Sequence, residues 1–119
     1  MKLILFIFLA VQINTANIVT IGSCITQIVC ELGRCNQIVA TDKQSQRELE
    51  QPVTNIGYWR SINVETILQS NPTLILASKT AGPPRSIQVF ESTSNPVVLI
   101  NKTENWDDLM SNISLIASK

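Results

Sequence analysis

The sequence contains no histidine among its 119 residues. Without an imidazole, the Ser-His-Asp and Cys-His arrangements of nucleophilic catalysis are excluded. The adjacent carboxylates Asp107 and Asp108 point in different directions if they lie on a helix, so they cannot act as a pair in hydrolysis. The segment that begins Ile21-Gly-Ser-Cys lacks the further glycines and the lysine of a phosphate-binding loop. We therefore predict that the protein is not an enzyme.

A strong charge of either sign is also lacking. Nine basic side chains balance nine acidic ones, and the formal net charge is zero. No cluster of Lys and Arg is visible, whereas a nucleic-acid interface needs one to neutralise phosphates. We predict no nucleic-acid partner.

Cysteines are few and form no C-x-x-C pair. With Cys24, Cys30 and Cys35 and no histidine, a zinc site would lack its fourth ligand. Cys30 and Cys35 could pair across a helix end in an oxidising compartment. The alternative, which we favour from sequence, is that Cys24 and Cys30 are small buried apolar residues.

The first 16 residues have the pattern of an export signal. Lys2 supplies a positive start, residues 3–11 are apolar, and residues 12–16 are a polar exit that ends in Ala16. The apolar run is too short to span a bilayer, which takes about 20 helical residues. We predict a secretory signal over residues 1–16. Lipidation at Cys24 is the less favoured alternative.

The remaining sequence alternates between strand and helix patterns. Ser23 and Asn63 stand where helix N-caps are expected, and Gly33 stands where a helix ends. The stripe of Trp106, Leu109, Met110, Ile113 and Ile116 has helical spacing and predicts a core-facing face. The predicted strands are 18–21, 37–40, 73–77 and 97–100, and the predicted helices begin at residues 23, 63, 84 and 103.

This alternation predicts one α/β domain, a single Rossmann-like lobe with a mostly parallel sheet and helices on both faces. Ligands of such sheets bind beyond the carboxyl ends of the strands. The rule brings Gly22 and Ser23, the long polar segment that leads to Tyr58, and the loop 79–84 to one edge. We predict the binding site at that edge.

Residues Gly57-Tyr-Trp-Arg combine a phenol, an indole and a guanidinium, a set that suits a flat, anionic, iron-bearing ligand. Tyr58 is the only tyrosine. Because the chain also has no histidine, its phenol is the natural axial donor if the chain binds a metalloporphyrin, since iron(III) prefers hard anionic oxygen. The alternative is that Tyr58 and Trp59 are packing residues at the end of a strand.

The loop 79–84 offers further contacts for such a ligand. Pro83 and Pro84 would form a rigid apolar surface for its ring, and Arg60 or Lys79 could bind its carboxylates. Ordinary loop chemistry is the alternative for these residues.

Several motifs resemble, in order and spacing, the N-terminal lobe of periplasmic haem-binding proteins that feed ABC importers. The block Asn71-Pro-Thr-Leu-Ile-Leu-Ala-Ser is similar to the wider group, which includes cobalamin and iron-siderophore binders. Gly57-Tyr-x-Arg together with Gly82-Pro-Pro is similar to the haem branch. The resemblance implies that Tyr58 ligates haem iron and that Glu65 contacts arginines of the permease.

The resemblance further implies one half of a two-lobed periplasmic binding protein, with residues 17–119 as the N-terminal lobe and the C-terminal lobe absent. The leading hypothesis is an exported, periplasmic haem-binding component of an import system. Its partners would be haem, an ABC permease of the inner membrane, and a second copy or a separate second lobe. The alternatives are a cobalamin or iron-siderophore lobe of the same fold, or a nonfunctional remnant.

Overall fold

A computed structural model describes residues 16–93 and 96–119 of the chain. The predicted export signal lies outside this part except for Ala16. Within it, the strands are β1 (Ile18–Ile21), β2 (Ile38–Thr41), β3 (Thr54–Asn55), β4 (Gly57–Tyr58), β5 (Ser61–Ile62), β6 (Leu74–Ser78) and β7 (Val97–Ile100). The helices are α1 (Ser23–Glu31), α2 (Val64–Gln69), α3 (Pro84–Ser92) and α4 (Trp106–Ala117). Two short 3-10 turns occupy Cys35–Gln37 and Ser45–Glu48.

Five strands form a parallel sheet in the order β3-β2-β1-β6-β7. The order reverses at β1, because the chain adds β2 and β3 on one side and then crosses to β6 and β7 on the other. Such a reversal leaves a crevice at the carboxyl ends of the central strands. The predicted α/β lobe with a parallel sheet is confirmed.

Apolar side chains on the two faces of the sheet form two separate cores. Val19 and Ile21 of β1 point to one face and Ile18 to the other, as the two-residue period of a strand requires. One core includes Ile67 of α2 with Ile87 and Phe90 of α3. The other includes Ile25, Ile28 and Val29 of α1 with Ile116 of α4. Helices therefore cover both faces.

The structure confirms one of the two predicted helix N-caps and shifts the bounds of two predicted strands. Asn63 caps α2, since its side-chain oxygen accepts a hydrogen bond from the Thr66 amide at 3.1 Å. Ser23 does not cap α1, because Gly22 takes the N-cap position and Ser23 is the first helical residue. The second and third predicted strands each begin and end one residue later than expected. Gln37 instead ends a 3-10 turn, and Thr73 forms hydrogen bonds with Asn17.

The predicted core-facing stripe of α4 is only partly correct. Ile116 is buried, and Leu109 and Ile113 are partly buried against the same core. Trp106 is 72% exposed and Met110 is 49% exposed. Met110 follows Leu109 by about 100° around the helix and so turns to solvent, while Trp106 begins the helix outside both cores. No helix in the described ranges has the length and apolar character needed to cross a membrane.

The prediction that Cys24 and Cys30 are buried apolar residues is wrong. Cys30 forms a disulfide with Cys35, and Cys24 is a free, exposed thiol. Gly33 explains the pairing, because its positive φ of 78° turns the chain at the end of α1 and brings Cys35 back beside Cys30. Cys24 lies in the first turn of α1, beyond the end of the sheet.

Reduction of this disulfide is expected to lower the free energy of unfolding. The bridge links residues five positions apart, and closing so short a loop stabilises a fold by about 2 kcal/mol through the lost entropy of the unfolded chain. Cys35→Ser should therefore lower the melting temperature by roughly 10 °C, measured by circular dichroism. Cys24→Ser is the matched control and should melt like the wild type. Equal melting temperatures for Cys35→Ser and wild type would contradict the expectation.

Candidate ligand-binding site

Residues 57–62 form a tight antiparallel hairpin rather than an open loop. Gly57 pairs with Ile62 and Tyr58 with Ser61, which leaves Trp59 and Arg60 as the two turn residues. Gly57 has a φ of 93°, and a Cβ atom there would lie 3.2 Å from the Ser61 carbonyl oxygen. Only glycine fits such a position without strain. The glycine thus sets the direction in which Tyr58 leaves the sheet edge.

The three side chains after Gly57 stack in sequence. The rings of Tyr58 and Trp59 have centroids 5.8 Å apart and are tilted by 51°. The guanidinium carbon of Arg60 lies 4.5 Å from the centroid of the Trp59 ring. Trp59 packs against the core that contains Phe90, whereas Arg60 is exposed and Tyr58 is 45% exposed. Trp59 therefore fixes the hairpin to the core, and the hairpin exposes the phenol of Tyr58 and the guanidinium of Arg60 to solvent.

The hairpin is joined to the loop 79–84 by two backbone hydrogen bonds. The Gly82 amide donates to the Trp59 carbonyl at 3.0 Å, and the Ile62 amide donates to the Gly82 carbonyl at 3.1 Å. Gly82 is buried, and a Cβ atom on it would lie 3.3 Å from the Pro84 nitrogen. The two sequence segments predicted to share an edge are therefore neighbours in the structure.

The remaining predicted residues lie around this junction and are exposed. Pro83 is the N-cap residue of α3, and Pro84 is the first residue of that helix. Lys79 follows β6, and its amide donates to the Ile100 carbonyl at 2.9 Å. Glu65 is exposed in the first turn of α2, directly after the hairpin. Its side chain is free to face a partner, as is any exposed charge at a helix start.

A cavity of ≈ 460 Å³ opens at the carboxyl ends of β1, β6 and β7. This size lies within the range of about 300–1,000 Å³ typical of small-molecule sites. Gly22, Ser23 and Trp59 line it, in agreement with the sheet-edge rule. The other predicted ligand residues do not line it; they are Tyr58, Arg60, Lys79, Gly82, Pro83 and Pro84. Trp59 is thus the residue shared by the hairpin and the cavity.

Sequence reasoning missed the cavity wall that follows β7. Asn101, Lys102 and Thr103 line the cavity, together with Asn112 of α4. Their position directly after a buried strand was the available signal, since the rule applied to β1 and β6 applies equally to β7. Asn112 carries no such signal, because the helical spacing of residues 103–117 predicts only an apolar stripe.

Buried polar groups behind the cavity were also missed. Asp42 is fully buried after β2 and accepts hydrogen bonds from the Gly22 amide at 2.9 Å, the Ser45 amide at 3.3 Å and the Ser45 hydroxyl. Such bonds offset the cost of burying a carboxylate. They also fix Gly22, which forms the cavity edge at the start of α1.

Comparisons with known proteins agree with this architecture. The family described as periplasmic binding protein matches residues 18–118. A periplasmic haem-binding protein from Roseiflexus sp. RS-1 is 28% identical with a TM-score of 0.81 over 88% of this chain and 41% of its own. The haem-binding protein HutB of Vibrio cholerae is 30% identical with a TM-score of 0.76 over 87% of this chain and 40% of its own.

A vitamin B12 binding protein of Vibrio cholerae shares the fold at 23% identity, with a TM-score of 0.74 over 87% of this chain and 40% of its own. The chain thus spans at most 41% of the length of these three structures. No curated protein matches the sequence.

Proposed function

The chain belongs to the periplasmic binding protein family, and from that premise we propose that it is the haem-binding lobe of an exported substrate-binding protein of an ABC importer. The family is one of binding proteins rather than enzymes, so the prediction that the protein is not an enzyme is confirmed. In this proposal haem is the transported ligand rather than a resident cofactor.

The observation that carries the proposal is the half-exposed phenol of Tyr58 on the hairpin at the ligand-binding edge of the sheet. A porphyrin supplies four nitrogen donors to its iron, so one axial oxygen from the protein is sufficient. Phenolate oxygen suits iron(III), and tyrosine ligation of haem iron is an established mode. The iron in turn stabilises the deprotonated phenol.

The residues around Tyr58 fit the rest of such a ligand. The indole of Trp59 and the exposed rings of Pro83 and Pro84 offer apolar surface. Arg60 and Lys79 are exposed cations on the same two segments and are available to carboxylates. We propose that these groups, with Gly82 holding the two segments together, form the haem-binding surface.

Similarity to solved structures supports haem over the other ligands of this fold. The two structures compared at 28% and 30% identity are of haem-binding proteins. The vitamin B12 binding protein, at 23% identity, supports the fold alone. Haem is therefore our first candidate, and a cobalamin or a ferric siderophore is the alternative.

A visible-absorption titration of the purified protein with hemin tests the proposal. We expect a saturable spectrum with the charge-transfer band of a tyrosine-ligated ferric haem. Parallel titrations with cyanocobalamin and a ferric siderophore should give no saturable change. Saturable binding of either compound, without binding of hemin, would show that this compound and not haem is the ligand. No binding of any of the three would favour the nonfunctional remnant.

The proposal places the protein in the periplasm, delivered by residues 1–16, with the permease and a second lobe or second copy as partners. An oxidising compartment is where a disulfide such as Cys30–Cys35 persists. The same compartment gives the protein access to a permease in the inner membrane.

Docking to the permease gives a separate prediction at Glu65. Reversing this exposed charge should leave hemin affinity unchanged, because Glu65 lies on α2 after the hairpin and is not part of the proposed haem-binding surface. A rim charge acts mainly on the rate of encounter and on its salt dependence. Glu65→Arg should therefore impair haem-dependent growth of cells that rely on this protein.

The matched control is Glu91→Arg, which makes the same charge change at an exposed position of α3. Growth should be normal with this control. Normal growth with Glu65→Arg as well would show that Glu65 is only a surface charge, which is the usual role of such residues.

A further inference from the structure

The cavity at the carboxyl ends of β1, β6 and β7 has an unusual distribution of charge. Its lining combines apolar side chains such as Trp59, Ile25 and Ile100 with neutral polar ones. Among the residues described as lining it, Lys102 is the only one with a charged side chain. A ligand group that enters this cavity therefore meets a mainly neutral wall and one cation.

The residues on both sides of Lys102 are held by one buried side chain. The amide nitrogen of the Asn112 side chain donates to the Asn101 carbonyl at 2.9 Å and to the Thr103 hydroxyl at 3.0 Å. Asn112 is itself only 4% exposed on α4. The neighbours of Lys102 are thus fixed to a helix of the core, and the lysine projects from a rigid segment.

Among the residues that the structure describes, Lys102 has one ionic partner, and that partner is replaceable. Its ammonium lies 3.5 Å from the Glu104 carboxylate, and the side chains of the pair are 72% and 67% exposed. Exposed ion pairs of this kind contribute little to stability and are screened by salt. A carboxylate brought by a ligand with apolar contacts of its own can displace Glu104.

A second electropositive feature that lines the cavity, the start of α1, is already next to a carboxylate. Asp42 is fully buried and accepts the Gly22 amide at 2.9 Å. A second anion at that helix end would face the negative charge of Asp42, which offsets the favourable helix dipole. An anionic group in the cavity is therefore directed to the Lys102 side.

We propose that Lys102 binds a carboxylate of the ligand, and that the cavity selects flat, apolar molecules that carry one. This inference deepens the proposed function and rests on it for the identity of the ligand, in which the carboxylate is a propionate of haem. Lys102 then acts from the cavity, whose wall includes Trp59 but not Arg60. In this arrangement Tyr58 of the hairpin ligates the iron, and Lys102, which follows β7, orients the propionate that it binds.

An iron-free probe separates Lys102 from Tyr58. Metal-free protoporphyrin IX has two carboxylates, and its dimethyl ester has none, so the pair tests recognition of the acid groups alone. Fluorescence anisotropy of the porphyrin reports binding. We expect Lys102→Gln to weaken protoporphyrin IX binding about fivefold, as the loss of an exposed charge pair, and to leave binding of the ester unchanged. Lys102→Arg should restore most of the affinity.

The control is Lys43→Gln, which removes an exposed lysine that does not line the cavity and should bind both probes like the wild type. The inference is overturned if Lys102→Gln weakens acid and ester equally, if it weakens neither, or if the wild type does not bind protoporphyrin IX. Failure of the proposed function has a different signature. In that case hemin gives no Tyr58-dependent band while the iron-free acid still distinguishes Lys102→Gln from the wild type.

Discussion

Replacing Tyr58 with Phe is expected to abolish the charge-transfer band of the hemin complex. The substitution keeps the ring, and with it the contact between the Tyr58 and Trp59 rings 5.8 Å apart. It removes the phenol oxygen that we propose as the axial donor to iron(III). We expect hemin affinity to fall at least about tenfold, which corresponds to about 1.4 kcal/mol of binding free energy. Titration followed by visible absorption measures both effects.

The hairpin offers a close control for that substitution. Ser61 is exposed and pairs with Tyr58 across the two strands, so Ser61→Ala alters the same hairpin without touching the phenol. Its hemin spectrum should match that of the wild type, and both variants should show the wild-type melting temperature. An unchanged hemin spectrum in Tyr58→Phe would refute the assignment of Tyr58 as the iron ligand, whatever the affinity.

Four of the five strands of the main sheet were predictable because they are short apolar runs, whereas the exposed two-residue strand β3 was not predicted. Residues 18–21 and 97–100 are continuous apolar or β-branched runs between turn residues, and the strands there have the predicted bounds. Asn63 was predictable as a cap because its side chain competes well for the first free amides of a helix. These signals are local, so the sequence alone contains them.

The hairpin was not predictable as a hairpin, because β4 and β5 have two residues each and show no periodicity. It exists because Ile62 is buried in the core and because Gly82 bonds to both Trp59 and Ile62. Gly82 follows Ile62 by 20 positions in the sequence. Contacts between such distant segments decide the conformation, and no local pattern encodes them.

The sequence predicts the edge of the sheet at which the candidate site lies, but it does not predict the cavity at that edge. The sheet-edge rule correctly brought Gly22, the hairpin and the loop 79–84 together. It could not show that Asn112 on the last helix holds the segment around Lys102. It also could not show that the Asp42 carboxylate is buried beneath Gly22. Both depend on which way a side chain turns in the packed structure.

The core beneath the hairpin gives the second large prediction. Phe90 of α3 is fully buried, and Trp59 packs against the same core. Phe90→Ala removes most of a buried ring and leaves a cavity, which costs about 3–5 kcal/mol of unfolding free energy. Since small domains are stable by only about 5–15 kcal/mol, a large part of the stability should be lost. Urea unfolding followed by circular dichroism measures the change.

Val89→Ala is the matched control for Phe90→Ala, because Val89 precedes Phe90 on α3 and is 38% exposed. Val89→Ala should lower the free energy of unfolding by less than about 1 kcal/mol, as most surface substitutions do. Equal losses of unfolding free energy in the two variants would contradict the assignment of Phe90 to the core.

The hemin spectrum distinguishes a loss of stability from a loss of iron ligation. At low temperature and without urea, the folded fraction of Phe90→Ala should keep the charge-transfer band, because its Tyr58 is intact. Tyr58→Phe should lose the band while its unfolding free energy stays at the wild-type value. Together, the two variants would show that Phe90 stabilises the core against which the Trp59 indole packs and that Tyr58 binds the iron.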